Sequence, residues 1–291
     1  MDFWQVISWC ETEQIPEIAA HAEQLGFKGL ILAEHIYYPA KTQSHYFYSA
    51  DGISPQTADM EFPDPLISFA AAAAVTKTLH FMTGIYVVPL RHPIELAKNI
   101  ATLEKLSGNR FSLGLGAGWL KEEFDQFGID FASRGRRTDE MIDVMRQLWS
   151  GDEVSFSGEF FKLEDIKIRP APTEHVPLIG GGHSRAALRR AVERCDGWYG
   201  PGNTLAELET LVPELLAMRS QSIRRSEPFS VVAPLTEALT PDAVARLVDI
   251  GVTATVNYPF LFGIGSDSTL EDKKRYMEEF SGRLISPEAV Q

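Results

Sequence analysis

Short apolar runs alternate with stretches of helical period from one end of this chain to the other, and that alternation limits the possible folds more than any other feature. The runs lie near 3–9 (FWQVISW), 29–34, 80–88 (HFMTGIYVV), 110–116 (RFSLGLG), 176–180, 196–200, 229–234 and 253–258 (TATVNY). A helix-period stretch follows each. The first, 13–25, carries the stripe Ile15, Ile18, Ala19, Ala22 and Leu25, and the others are 64–77, 92–106, 134–149, 184–194, 204–219, 241–249 and 269–284. Strand then helix, eight times over, is the pattern of parallel strands joined by crossover helices. Eight such units favour a closed (β/α)8 barrel over an open doubly wound sheet. A barrel of this kind uses about 250 residues as one domain, so the 291 residues are read as a single domain, 1–291.

Two stretches break the rhythm, and both lie where a barrel carries loops of its carboxyl-end face. Residues 36–63 hold five aromatic side chains before Asp51, namely Tyr37, Tyr38, Tyr46, Phe47 and Tyr48, with no helical period. They are expected to form a long loop after the second strand, a lid or pocket wall. Residues 152–172 alternate apolar and polar around Ser157-Gly158, which reads as a β-hairpin inserted before the fifth strand.

The balance of 27 Lys and Arg against 40 Asp and Glu gives a net charge of −13, which argues against nucleic acid or an anionic membrane surface as partner. The longest apolar run, Phe69 to Val75, falls well short of the roughly 18 residues of a spanning helix. No Lys or Arg precedes Lys28, so a secretory signal is not expected. Cys10 and Cys195 sit apart among apolar residues, which fits the reducing cytoplasm better than a disulfide framework.

The most informative local segment is Ile179-Gly180-Gly181-Gly182-His183-Ser184, where a strand passes through three glycines into a helix. Backbone amides left bare at a helix start bind phosphate, although the same residues also make a tight βα turn with Ser184 as its N-cap. Gly114-Leu115-Gly116-Ala117-Gly118-Trp119 fails the dinucleotide fingerprint, because Trp119 stands where the third glycine belongs. Its glycines still let a flat ring approach backbone beside Trp119. His35 follows Glu34 at the carboxyl end of the second strand, where an imidazole either serves a bound ring as donor or proton relay or simply bonds loop backbone.

The seven histidines show no metal-binding pair at two- or four-residue spacing, and no Gly-x-Ser-x-Gly elbow occurs. No metal site is expected. Lys121-Glu122-Glu123 and Arg136-Arg137 read as a solvated charged face. The small residues Ala70 to Ala74 permit close helix approach and a subunit contact.

Taken in order, the barrel, the glycine turns and the strand-2 histidine resemble the bacterial luciferase-like family of flavin and deazaflavin enzymes. The residues that carry the likeness are Ala33-Glu34-His35, Asp64-Pro65, Thr83-Gly84-Ile85, Pro89 to Pro93, Leu106 to Arg110, Gly114 to Trp119 with Glu123, Arg134-Gly135 with Arg137, Trp149, Gly158, Gly180 to Gly182 and Asp196-Gly197-Trp198. The resemblance implies a TIM barrel, often dimeric, with the cofactor phosphate on Gly180, Gly181, Gly182, His183 and Ser184. It also implies a strand-3 bulge at Thr83, Gly84 and Ile85 whose non-prolyl cis peptide supports the cofactor ring, with Gly116, Ala117, Gly118 and Trp119 beside it. The family histidine near the ring matches His35. The short length and the LGLGAGW and GGGHSRAALRR wording are most similar to the branch that uses coenzyme F420. An FMN-dependent monooxygenase using oxygen is the alternative. Either way the partner is a small molecule, and Tyr46 and Tyr48 are expected in the substrate pocket.

Overall fold

The computed structural model describes residues 1–47, 49 and 51–285. Eight parallel strands form the barrel: β1 (Asp2–Val6), β2 (Gly29–Leu32), β3 (His80–Thr83), β5 (Phe111–Gly116), β8 (Leu178–Gly181), β9 (Gly197–Tyr199), β10 (Ser230–Val232) and β11 (Ala254–Asn257). The two-residue β4 (Tyr86–Val87) continues β3 after a break and pairs with β5. Closure comes from β3 pairing with β5 at one seam and β1 with β11 at the other, where Gln5 faces Asn257. The barrel is the (β/α)8 fold that the alternation predicts.

Helices α1 (Ile15–Gln24), α2 (Pro65–Val75), α3 (Pro93–Ser107), α5 (Arg134–Trp149), α6 (Arg185–Arg194), α7 (Leu205–Gln221), α8 (Pro241–Asp249) and α10 (Leu270–Leu284) surround it. Their starts are set by local chemistry. Asp64 accepts hydrogen bonds from the amides of Leu66 and Ile67 ahead of α2, and Thr204 with Glu207 and Thr269 with Asp272 form capping boxes on α7 and α10. Two short helices not expected from periodicity, α4 (Lys121–Gln126) and α9 (Phe260–Ile264), lie on the carboxyl-end face. At five and six residues, they are too short for a periodic stripe to show.

Two cores result. Trp4, Val6, Ile31, Met82, Ile179, Val232, Ala254 and Val256 fill the barrel interior, and a larger cluster lies between strands and helices. Arg110 organises the amino-terminal end from within the protein. Its guanidinium donates to the carbonyls of Ala73, Thr76, Leu79 and Ser107 and to the Thr76 hydroxyl, so it caps the end of α2 and ties it to α3. The hairpin is present as β6 (Val154–Ser157) and β7 (Lys162–Ile166), and Glu140 of α5 accepts from the turn amides of Glu159, Phe160 and Phe161. Within 36–63 the described residues form neither helix nor strand.

The first strand is shorter than its apolar run. It ends at Val6, and Trp9 takes a left-handed backbone with φ 62°. The third run, 80–88, is likewise interrupted, by a cis peptide between Gly84 and Ile85.

Candidate active site

At the carboxyl end of β3 the break at Gly84-Ile85 turns the Ile85 side chain across the barrel mouth. A Cβ placed on Gly116 would lie 2.0 Å from Ile85 Cδ1, and one on Gly181 would lie 2.5 Å from Ile85 Cγ2. These two glycines therefore make room for Ile85, and Ile85 supplies the surface above them. Gly84, Ile85, Ala117, Gly118, Trp119, Gly181 and Gly182 are all partly exposed around this point and form one side of the mouth.

Three residues expected to touch a cofactor lie beneath that surface. Thr83 is fully buried with its hydroxyl donating to Gly114 O at 2.7 Å, Gly116 is covered by Ile85, and Gly180 is pressed against Ala191 of α6 at 3.0 Å from its ideal Cβ. They shape the shelf from below. Gly182 has φ 99°, and its carbonyl accepts from Trp198 Nε1 at 2.7 Å. Ser184 caps α6 by accepting from the Ala187 amide at 3.2 Å, so the turn reading holds. The α6 amides ahead of Ala187 have no intrahelical acceptor and stand at the exposed His183-Ser184 end.

His35 stands at the edge of this shelf, 7% exposed. Its Nδ1 lies 3.0 Å from Glu123 Oε2, and the other oxygen of Glu123 accepts from the Ile36 amide at 2.9 Å. Glu123 is itself 1% exposed, so the expectation of a solvated charged face at 121–123 is corrected: α4 aims this carboxylate inward. An ionised carboxylate can only accept, which puts hydrogen on Nδ1 and leaves Nε2 as the chemically available nitrogen. Next to this pair Glu34 accepts from the Val87 amide at 2.9 Å and makes an ion pair with Arg91 at 2.5 Å. Burial raises the Glu34 carboxyl above its ordinary value against the pull of Arg91.

Glu122 faces the other way and holds the long loop, accepting from the Gln43 and Ser44 amides and the Ser44 hydroxyl. At its far end the same loop is tied down by Glu61, which accepts from the Thr12 amide at 2.9 Å. Tyr46 packs its ring against Trp119 with centroids 4.9 Å apart. Tyr48 lies outside the described residues.

From Trp119 onward the rest of the mouth is aromatic. Tyr38, Phe62 and Trp119 meet the His35 ring edge to face at 5.6, 5.4 and 5.9 Å between centroids. Phe62 continues to Trp9 at 6.2 Å, and Trp9 to Phe262 of α9 at 5.4 Å. Tyr199 stands over Gly84, and its phenol is pushed up, first by burial and then by the nearby Tyr258 and Tyr46.

Comparison with known proteins agrees with this architecture. The family model for luciferase-like monooxygenases matches residues 10–283, and the chain belongs to that family. An uncharacterised protein of Mycobacterium tuberculosis is 35% identical over 271 residues, 92% of this chain and 93% of that one. The FMNH2-dependent dimethylsulfone monooxygenase of Pseudomonas fluorescens is 27% identical over 244 residues, 77% of this chain and 67% of its own. Among solved structures, the coenzyme F420-dependent tetrahydromethanopterin reductase of Methanopyrus kandleri superposes with a TM-score of 0.73 at 17% identity, covering 98% of both chains. Members of the family are oxidoreductases, so the chain is read as an oxidoreductase acting on a small molecule.

Sequence reasoning placed His35, Ile85 and the glycine turns in the mouth but missed Glu123 as a partner of His35, and missed Trp9, Tyr199 and Tyr258 altogether. Those three aromatics do follow or end strand-like runs, a position that in a barrel points to the active face. Glu123 gave a weaker signal, a carboxylate directly before buried Phe124.

Proposed function

We propose that this protein transfers a hydride between coenzyme F420 and a small organic molecule, with His35 acting at the cofactor ring as donor or proton carrier. The observation that carries the reading is the position of His35: it stands where the backbone shelf of Ile85, Gly118 and Gly182 meets the aromatic wall, clamped by a buried carboxylate. A flat ring fits the shelf, since Ile85 fills the space above Gly116 and Gly181 and leaves a surface of backbone and one aliphatic side chain. When bound, the cofactor supplies the hydride chemistry. The chain's residues orient it, exclude water with the loop, and hold a proton on His35. The anionic end of the cofactor would lie at the His183-Ser184 start of α6, flanked by exposed Arg185 and Arg189.

The short chain and the wording around Gly114 and Gly180 support the deazaflavin. The likeness to an FMNH2-dependent monooxygenase supports FMN with oxygen as a second reading. Titrating the protein separately with F420 and FMN, followed by cofactor fluorescence, distinguishes them. Tighter binding of F420 by about tenfold or more, roughly 1.4 kcal/mol, is expected. The reverse order, with oxygen uptake by the reduced complex, establishes the FMN reading, and binding of neither overturns both.

A pair of subunits is part of the same proposal. Helix α2 exposes Ile67, Ala71, Ala74 and Val75 at helical spacing, an apolar stripe beyond the buried face.

A further inference from the structure

The two halves of the barrel mouth differ in chemistry. The β3, β5 and β8 side presents backbone and Ile85, whereas the β1 and β11 side presents aromatic rings carrying two hydrogen-bonding tips without partners. Trp9 Nε1 and Tyr258 Oη are both shielded from solvent and have no hydrogen-bond partner among the described residues. Buried indole N–H and phenol O–H groups are normally paired, because leaving them unpaired in a low-dielectric site is costly.

Both residues stand at one corner of the mouth. β1 pairs directly with β11, Gln5 Nε2 donates to Tyr258 O at 3.1 Å, and Phe262, four residues past Tyr258, packs on the Trp9 ring. Trp9 is held there in a left-handed backbone, which is uncommon for so bulky a residue and is the kind of strain that collects at binding sites. Trp4 is also unpartnered, but it sits inside the barrel among Val6, Ile31 and Met82.

Resting on the assignment of the opposite side to the cofactor, we propose that the β1–β11 corner is the substrate subsite. It takes a non-cationic, largely apolar molecule whose oxygen accepts hydrogen bonds from Trp9 Nε1 and Tyr258 Oη. The preference for an acceptor follows from Trp9, because an indole can only donate. Exclusion of a cation follows from the commitment of the nearby carboxylates: Glu34 is paired with Arg91, Glu123 with His35 and Ile36, and Glu61 with Thr12. A cationic group entering here meets none of these three uncommitted. Phe62 links the corner to His35, so an oxygen held at Trp9 leaves the rest of the molecule lying toward the imidazole and the shelf. Half-exposed Phe262, on the short helix α9, covers the Trp9 ring.

The test uses two probes of similar size, acetophenone and ethylbenzene, titrated calorimetrically into the full chain saturated with whichever cofactor binds. The wild type is expected to favour the ketone by about tenfold or more, the worth of one or two buried hydrogen bonds. Trp9→Phe and Tyr258→Phe keep the rings and remove only the donors. Each should lose most of that preference while ethylbenzene affinity and cofactor affinity stay within about twofold, the cofactor affinity also reporting that the variants are folded. Equal affinity for the two probes in the wild type, or a preference that survives both substitutions, overturns the subsite while leaving the cofactor reading standing. Failure of the wild type to bind either cofactor overturns both.

Discussion

At the scale of single residues, the proposed chemistry rests on an imidazole whose orientation a neighbouring carboxylate sets. Glu123 spends both oxygens on fixing His35, one on the ring and one on the following amide. Replacing His35 by Ala should lower kcat by about 10²–10⁴, the usual contribution of a positioned proton carrier, with cofactor Kd nearly unchanged. His35→Asn separates the roles, since it keeps a donor but carries no proton. Glu123→Gln should lower kcat about tenfold or more and alter the pH profile of kcat, because an amide can present a donor to Nδ1 and favour the wrong tautomer. A Gln variant with an unaltered pH profile would assign Glu123 to loop anchoring alone. At Gly181 a side chain would meet the protein itself before any ligand. A Val at Gly181 meets Ile85 and the Leu115 carbonyl first. It should therefore distort the shelf and lower Tm as well as weaken cofactor binding, a pairing that differential scanning calorimetry and titration together can detect.

At the scale of elements, α4 is the part that periodicity could not find, and it governs the loop. Glu122 gathers three donors from Gln43 and Ser44. Burial pushes the Glu122 carboxyl up, but the Ser44 hydroxyl and the two loop amides outweigh it and hold its pKa below the ordinary value. A depressed carboxylate stabilises the docked loop fully above the unfolded value of about 4.3, and the effect is lost as pH falls through the lower folded value. Protease nicking within 36–63 should accordingly rise on acidification before the barrel unfolds, and Glu122→Gln should raise nicking at neutral pH and flatten the dependence. Nicking independent of both would place the loop's anchor elsewhere. Arg110 plays the matching structural role at the opposite end of the barrel. Arg110→Ala abandons several buried carbonyls at once and should cost about 3 kcal/mol or more in denaturant unfolding.

At the scale of the whole molecule, the stripe on α2 is an apolar surface that a single barrel leaves uncovered. Ile67 is 74% exposed and Val75 51%, on a helix whose other face is already buried. Ile67→Glu should convert a dimer to a monomer in light scattering without changing the far-ultraviolet circular dichroism. A wild-type chain that scatters as a monomer at micromolar concentration would remove the pairing from the proposal. No helix among the described residues is long and apolar enough to cross a membrane, so the stripe is not part of a membrane span.

The sequence by itself determined the barrel, the eight principal helices, the loop and the hairpin, because each depends on a local period or on turn chemistry that a window of ten or so residues contains. It also pointed to His35 and the glycine turns, since barrel topology sends the carboxyl ends of parallel strands to one face, and the family resemblance added Ile85. What only the tertiary structure decided were the partners. Glu123 lies 88 residues from His35, and Trp9 and Tyr258 are brought to one corner by the closure of β1 on β11. Whether a carboxylate is solvated or clamps an imidazole, and whether a glycine receives a ligand or a neighbouring isoleucine, depends on what the barrel folds against it. No period along the chain carries that information.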